Sequence, residues 1–283
     1  MQPTRFAVCS RGARVCLLSV AFGATSWSHA QSLVNYYSFD AGAITTSGSV
    51  ILTASGIGST LANRETPVVD ASGRFGGAAN FSAGRLDTPA FGDGTTTALG
   101  NNFSVSFWMK TSDVTATSQS YVFQTGGAVS PQNAVIFGYS SGLMEFFGES
   151  AFTGSNPRPS SGITLGASLN NQWFNVVYTY DGATFKGYLN GHEEFSTATT
   201  FSLTSAGGLS IGGSRNGVSF SNHLTGSLDD FAIFQGALSA RQVTALQSAP
   251  AISLVPEPSE YAMVAGVALL GFGVLRRRAA STV

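Results

Sequence analysis

The chain has 283 residues, a formal net charge of −1 and only 10% charged residues, so bulk charge gives no sign of nucleic acid as a partner and none is expected. Its 34 glycines, with many serines and threonines, suit short strands joined by tight turns and argue against a helical bundle. Hydrophobic residues make up 43% of the chain, enough for a sizeable core, and a single all-β domain of this length is allowed.

Residues 1–30 read as a secretory signal peptide. Arg5, Arg11 and Arg14 form a basic start. The apolar stretch 15–24 is too short for a bilayer core of about 30 Å. Ser28, His29 and Ala30 make a small-x-small cleavage site, so the mature chain is expected to begin at Gln31. Both cysteines, Cys9 and Cys16, fall in this leader. The mature domain is therefore expected to lack disulfides, thiolate ligands and cysteine nucleophiles, and to rely on core burial.

The body, residues 31–249, alternates with period two in several places, the mark of half-buried strands. In 103–110, Phe103, Val105, Phe107 and Met109 face one side and Ser104, Ser106 and Lys110 the other. Trp108 joins the polar side, so that side is expected to be partly covered. In 172–195, Phe174, Val176, Tyr178 and Tyr180 alternate with Trp173, Asn175, Val177 and Thr179. Asp181-Gly182 and Asn190-Gly191 are hairpin signals, because both central residues of a type I′ turn need positive φ. The block is expected to be a three-stranded antiparallel meander. Residues 209–213 and 224–234 are again strand-like, with a loop between. A short helix is expected over 238–246, with Ser239 at the N-cap and Gln242 completing a capping box.

Many short antiparallel strands separated by turns define a β-sandwich or barrel. Residues 33–39, 73–81 (Gly-Arg-Phe-Gly-Gly-Ala-Ala-Asn-Phe), 103–110, 173–191 and 226–246 occur in the order seen in laminin-G-like, concanavalin A-like jelly-roll domains, which this chain resembles. The resemblance implies two antiparallel sheets packed face to face, with a short C-terminal helix. It does not assign a function, because this fold hosts lectins, glycanases, adhesion modules and spacers.

The chemistry-bearing residues are few. A retaining glycosidase needs two carboxylates about 5–5.5 Å apart, which on a strand means acids at alternating positions. Glu145 and Glu149 stand four apart with Gly148 between, and Glu193 and Glu194 are adjacent. Neither pair fits, and His192 and His223 have no serine elbow near them, so no catalytic residue is expected. Related jelly rolls often hold Ca2+ at one end of the sandwich. By that resemblance Asp40, after the first strand, and Asp229 or Asp230, before the last, are the metal candidates if those strands are neighbours. The same acids would equally serve as turn caps. Asp87 and Asp93, in 86–94, are weaker candidates. Glycan binding would draw on Trp108, Trp173, Tyr121, Tyr139 and the loop 216–223, although a strand Trp is more often core.

The tail has three parts: Pro256-Glu257-Pro258 in the linker 250–260, an apolar run 261–275, and Arg276, Arg277 and Arg278 within 261–283. Fifteen residues make a helix of about 22 Å, a marginal span. The arginines would stop at the cytoplasmic face, leaving the domain outside. Pro256 and Pro258 keep the preceding segment extended. This order resembles the PEP-CTERM sorting signal of Gram-negative bacteria. It implies secretion machinery and an exosortase as partners, transient anchoring in the inner membrane, and release to the cell surface or extracellular matrix. The protein is thus expected to be an exported, non-enzymatic module that binds glycan or exopolysaccharide. The alternatives are a structural matrix or adhesion protein without specific glycan binding and, last, a glycan-processing enzyme.

Overall fold

The structure, a computed structural model, describes residues 31–40, 61–65, 69–82, 84–87, 99, 102–126, 134–149, 162–200, 208–216 and 219–254. Ala30, Asp93, Pro256, Glu257, Pro258, the apolar run and Arg276, Arg277 and Arg278 lie outside them. Among the described residues no helix is long and apolar enough to cross a membrane.

The described strands are, in chain order, β1 (Ser32–Tyr37), β2 (Ala62–Glu65), β3 (Val69–Ser72), β4 (Gly77–Ser82), β5 (Gly84–Asp87), β6 (Phe103–Lys110), β7 (Ser120–Gly126), β8 (Ala134–Ser140) and β9 (Leu143–Glu149). They continue with β10 (Ile163–Thr164), β11 (Phe174–Tyr180), β12 (Thr184–Leu189), β13 (His192–Ala198), β14 (Gly208–Ile211), β15 (Ser214–Asn216), β16 (Ser219–Ser221) and β17 (Thr225–Gln235). Helix α1 (Ala240–Ala245) follows. One sheet has the order β13-β12-β11-β6-β17-β4-β3, with β1 also on β17; the other runs β10-β9-β8-β7-β14-β5-β2. Every pairing is antiparallel. The two-sheet antiparallel sandwich expected from the sequence is therefore the observed architecture.

The sheets meet through aromatic side chains. Phe123 stacks on Phe137 at 4.4 Å between ring centroids, and Phe107 and Phe231 close on Phe123 at 6.4 and 5.1 Å. From β6, Phe103, Val105, Phe107 and Met109 all enter this core, as their alternation requires. Full burial of each such side chain stabilises the fold by about 1.5–3 kcal/mol.

The opposite face of the first sheet is buried too. Tyr36, Val177, Tyr188, Ala232 and Phe234 pack against Leu238, Val243, Leu246 and Ala251. Helix α1 and the 3-10 turn Ala251–Leu254 thus cover that face, which is why β11 is buried at every position. Ser239 Oγ accepts from the Gln242 amide, and Gln242 Oε1 accepts from the Ser239 amide, so the expected capping box is formed.

The turns separate what the dipeptides left together. Asn190 and Gly191 have φ of 48° and 82°, as a type I′ turn demands. At Asp181-Gly182 only Gly182 has positive φ, at 97°. There Asp181 Oδ1 accepts from the amides of Ala183 and Thr184, stabilising a longer, side-chain-capped loop.

Three placements differ from expectation. Asp229 and Asp230 lie in the middle of β17, not before it. The interval 214–221, read as loop, carries the small β15–β16 hairpin. Asp87 ends β5, buried and ion-paired with Arg85 at 2.8 Å, and is not a loop acid. Strand β7 has no alternation in burial, because Tyr121, Val122, Phe123, Gln124 and Thr125 are buried in succession.

Candidate functional site

Asp40 and Asp229 converge, and Asp230 is turned aside, because β17 changes neighbours in mid-strand. Residues 225–228 pair with β4, whereas 231–235 pair with β1. Between them the ladder with β6 slips at Asp229–Ala232, and Asp230 takes a φ of 51°. Such a bulge sends adjacent side chains to different partners. Asp229 Oδ2 accepts from the amides of Arg74 and Phe75 at 2.6 and 2.8 Å. Asp40 Oδ1 accepts from the Gly77 amide at 2.8 Å, at the other end of the same β3–β4 turn. Asp230 instead accepts from Tyr36 Oη at 2.7 Å and from the Ala251 amide at 2.9 Å. It therefore ties the segment before the tail to the sheet.

Burial dominates the electrostatics here. It pushes the Asp229 carboxyl up to about 6, against the opposing pull of the Phe75 and Arg74 amides. It pushes Asp230 up to about 7, with Tyr36 and Ala251 pulling down and Asp229 and Asp40 adding repulsion. Asp229 Oδ1 is buried without a hydrogen-bond partner among the described residues. These acids do come together, and each binds backbone amides as a turn cap does. Among the described residues no group of three or more acidic, histidine or cysteine side chains is placed to hold a metal ion.

The sequence's aromatic candidates are mostly enclosed. Trp108 is 4% exposed. The Arg74 guanidinium lies 4.8 Å from its ring centre, and Phe75 meets it edge-on at 5.8 Å. The Gly-Arg-Phe-Gly-Gly turn is thus the lid on the polar side of β6. Tyr121 and Tyr139 are 7% and 3% exposed, and Trp173 is half-buried before β11.

An open groove lies at the end of the sandwich, where the chain crosses between sheets. Its larger recess, about 650 Å³, is bordered by Thr111, Asp113, Gln119, Tyr139, Asn222 and His223, among others. Its walls are pinned by the backbone. The Tyr121 amide donates to Asn222 O at 2.8 Å, and the Ser141 amide to Ala116 O at 2.7 Å. Thr111 Oγ1 donates to Thr225 O at 2.8 Å. Asp113 is exposed, and the Thr115 hydroxyl and amide hold its carboxyl below the usual value. Asn222 holds a φ of 57°, tolerable for Asn and costly for a bulkier residue. A smaller recess of about 280 Å³ shares Thr111, Ser112 and Thr225 with the first. The groove offers fixed hydroxyls, amides and one ionised carboxylate, the groups that hydrogen-bond a polyhydroxylated ligand.

Of the candidate residues, only Tyr139 and part of the loop 216–223 (Asn222 and His223) border this groove. Asp113, Gln119 and Asn171 were missed. The signal available for Asp113 and Gln119 was the polar run 110–120 between two apolar strands, a loop long enough to line a site, and nothing near Asn171 marked it.

Fold and groove together define a lectin-like jelly roll with a polar end groove. Residues 82–244 match the family model described as concanavalin A-like lectin/glucanases superfamily, and the chain belongs to that family. Comparison with curated proteins returned no match. Among solved structures, the chain is similar to domain 4 of AbnA, a GH43 extracellular arabinanase from Geobacillus stearothermophilus in complex with arabinotriose. The TM-score is 0.56 at 22% identity, over 77% of this chain and 99% of that one. It is also similar to the binding domain of botulinum neurotoxin DC in complex with SialylT, with TM-score 0.55 and 16% identity, over 80% of this chain and 51% of that one. The serotype G neurotoxin binding domain gives TM-score 0.54 at 13% identity, over 76% of this chain and 50% of that one. The chain thus spans about half the length of the neurotoxin domains. At these identities the likeness is one of fold.

Proposed function

We propose that the protein is an exported, non-enzymatic glycan-binding module that holds exopolysaccharide or another glycan at the end groove. The observation that carries this reading is the polar, backbone-pinned groove on a lectin-like sandwich. The complexes named for the arabinanase domain and the neurotoxin DC domain are consistent with it. The non-enzymatic part is supported by the spacing of acids. Glu145 and Glu149 stand four residues apart on the extended backbone of β9, about 13 Å along the strand. That exceeds the 5–9.5 Å, roughly, that glycoside hydrolysis needs.

Export, the exosortase route and delivery to a Gram-negative cell surface or matrix complete the proposal. They rest on the leader ending at Ala30, on Pro256-Glu257-Pro258 and on the arginine stop. Binding of the secreted protein to a glycan array and to exopolysaccharide, with and without Ca2+, tests the ligand. Saturable binding that falls on Asp113→Ala supports the reading, and no binding in either condition overturns it. The Ca2+ arm also tests Asp40 and Asp229 as metal ligands. Mass spectrometry of the secreted form tests the route: a C-terminus near Pro256 supports sorting, and an intact Arg278 end means a retained anchor.

A structural matrix role is the second reading. It is favoured by the burial of Tyr121 and Tyr139, at 7% and 3% exposure, which leaves no open ring from either for stacking on a sugar. It predicts a matrix defect on deletion without saturable glycan binding.

A further inference from the structure

The smaller recess has a charge character of its own. It opens where β6, β17 and β4 lie side by side, with Lys110 opposite Ser227 and Ser227 opposite Asn80. Opposed residues in an antiparallel sheet point the same way, so these three form one row on the face away from the core. Asn80 Nδ2 donates to Ser227 Oγ at 2.9 Å. Ser82, Ser112, Asn171 and Thr225 add hydroxyls and an amide around the row. Among the described residues no acid borders the recess, and Lys110 is its sole charged residue.

Three other basic groups on or beside the sheets are committed. Lys186 is paired with Glu193 at 2.8 Å, Arg85 with Asp87 at 2.8 Å, and Arg74 lies over Phe75 and Trp108. Lys110 is exposed and makes no ion pair with a described residue. The nearest acid along β17, Asp229, is turned onto the amides of Arg74 and Phe75. Gly226 lets β17 pass close to β6 beside the recess: its φ is +146°, and a Cβ there would stand 2.5 Å from Lys110 O. In the adjoining recess the sign reverses, because Asp113 is ionised there.

We propose that the Lys110 recess is a subsite for an anionic substituent, a carboxylate or a sulfate ester, on a saccharide whose neutral neighbouring unit occupies the larger recess. This rests on reading the groove as a glycan site. The ligand is then a glycan that alternates charged and uncharged units: Lys110 attracts the anion, and Asp113 repels a second one from the next position.

The test titrates the protein with three oligosaccharides: one alternating a uronate with a neutral sugar, the same chain with its carboxyls reduced to hydroxymethyl groups, and a sulfated counterpart. Carboxyl reduction is expected to weaken binding at least about tenfold, equivalent to about 1.4 kcal/mol. Lys110→Met is expected to lower affinity for the acidic chain by the same factor more than for the reduced chain. Its unfolding midpoint, measured alongside, separates this from misfolding. Preference for the sulfated chain with the same Lys110 dependence also supports the subsite and names its anion. Equal affinity for acidic and reduced chains, or an equal loss on both in Lys110→Met, overturns the subsite while leaving glycan binding in place. Failure of all three to bind, when neutral glycans on the array also fail, overturns both.

Discussion

Asp230→Asn should make the protein more stable at alkaline pH. Asp230 is 1% exposed, and burial raises its carboxyl from 3.8 to about 7 in the folded state. The folded protein therefore holds this proton more tightly than the unfolded chain does. The resulting stability is complete below the unfolded value near 4 and is lost as pH rises through about 7. At about 1.4 kcal/mol per unit, a rise of about 3 units makes the loss about 4 kcal/mol. Asparagine is isosteric, cannot ionise, and can donate to Tyr36 Oη while accepting from the Ala251 amide, the two groups Asp230 now binds. Urea unfolding of both proteins between about pH 4 and about pH 8.5 gives the difference curve. Asp113 and Glu193 have lowered values and act with the opposite sign, but they are common to both proteins and cancel. The stability of Asp230→Asn relative to wild type should climb across this range. Parallel curves would show that Asp230 ionises without cost, and would refute the reasoning.

Ser239→Ala removes the oxygen that accepts from the Gln242 amide, and should cost about 1 kcal/mol in chemical denaturation; no change would mean the helix is held by packing alone. Gly212→Ala should be far worse than an exposed Gly→Ala change, because φ is +86° and the new Cβ would stand 2.2 Å from the Phe81 ring. A loss of about 1–3 kcal/mol is expected in the same assay, and a neutral result would mean the ring can move aside.

The fold was legible where local chemistry agreed with the final packing. Strand β6 alternates cleanly in sequence, Asn190-Gly191 makes its turn from its own φ preferences, and Ser239 and Gln242 cap their helix by bonding each other. Strands β7 to β9 were not legible, because apolar residues stand side by side in them, as in Tyr121-Val122-Phe123, Val135-Ile136-Phe137 and Phe146-Phe147, and erase the period-two signal. The aspartate cluster was half legible. Neighbouring first and last strands would bring Asp40 to Asp229, and they do, but the bulge that turns Asp230 away from them depends on the exchange of β4 for β1 beside β17. The groove was the least legible part. Its walls come from 80–82, 110–120, 139, 171 and 222–227, and no spacing rule links positions so far apart.

By itself, then, the sequence determined the all-β class, the meander, the helix cap and the order of elements that marks the family, since each depends on residues within a few positions of one another. The tertiary structure decided which polar groups face a ligand and which are capped. It placed Lys110 beside Asn80 and Ser227, closed Arg74 over Trp108, and turned Asp229 onto backbone amides. Those outcomes depend on which strands become neighbours, and strand pairing is settled by burying the whole apolar surface at once, not by any one segment.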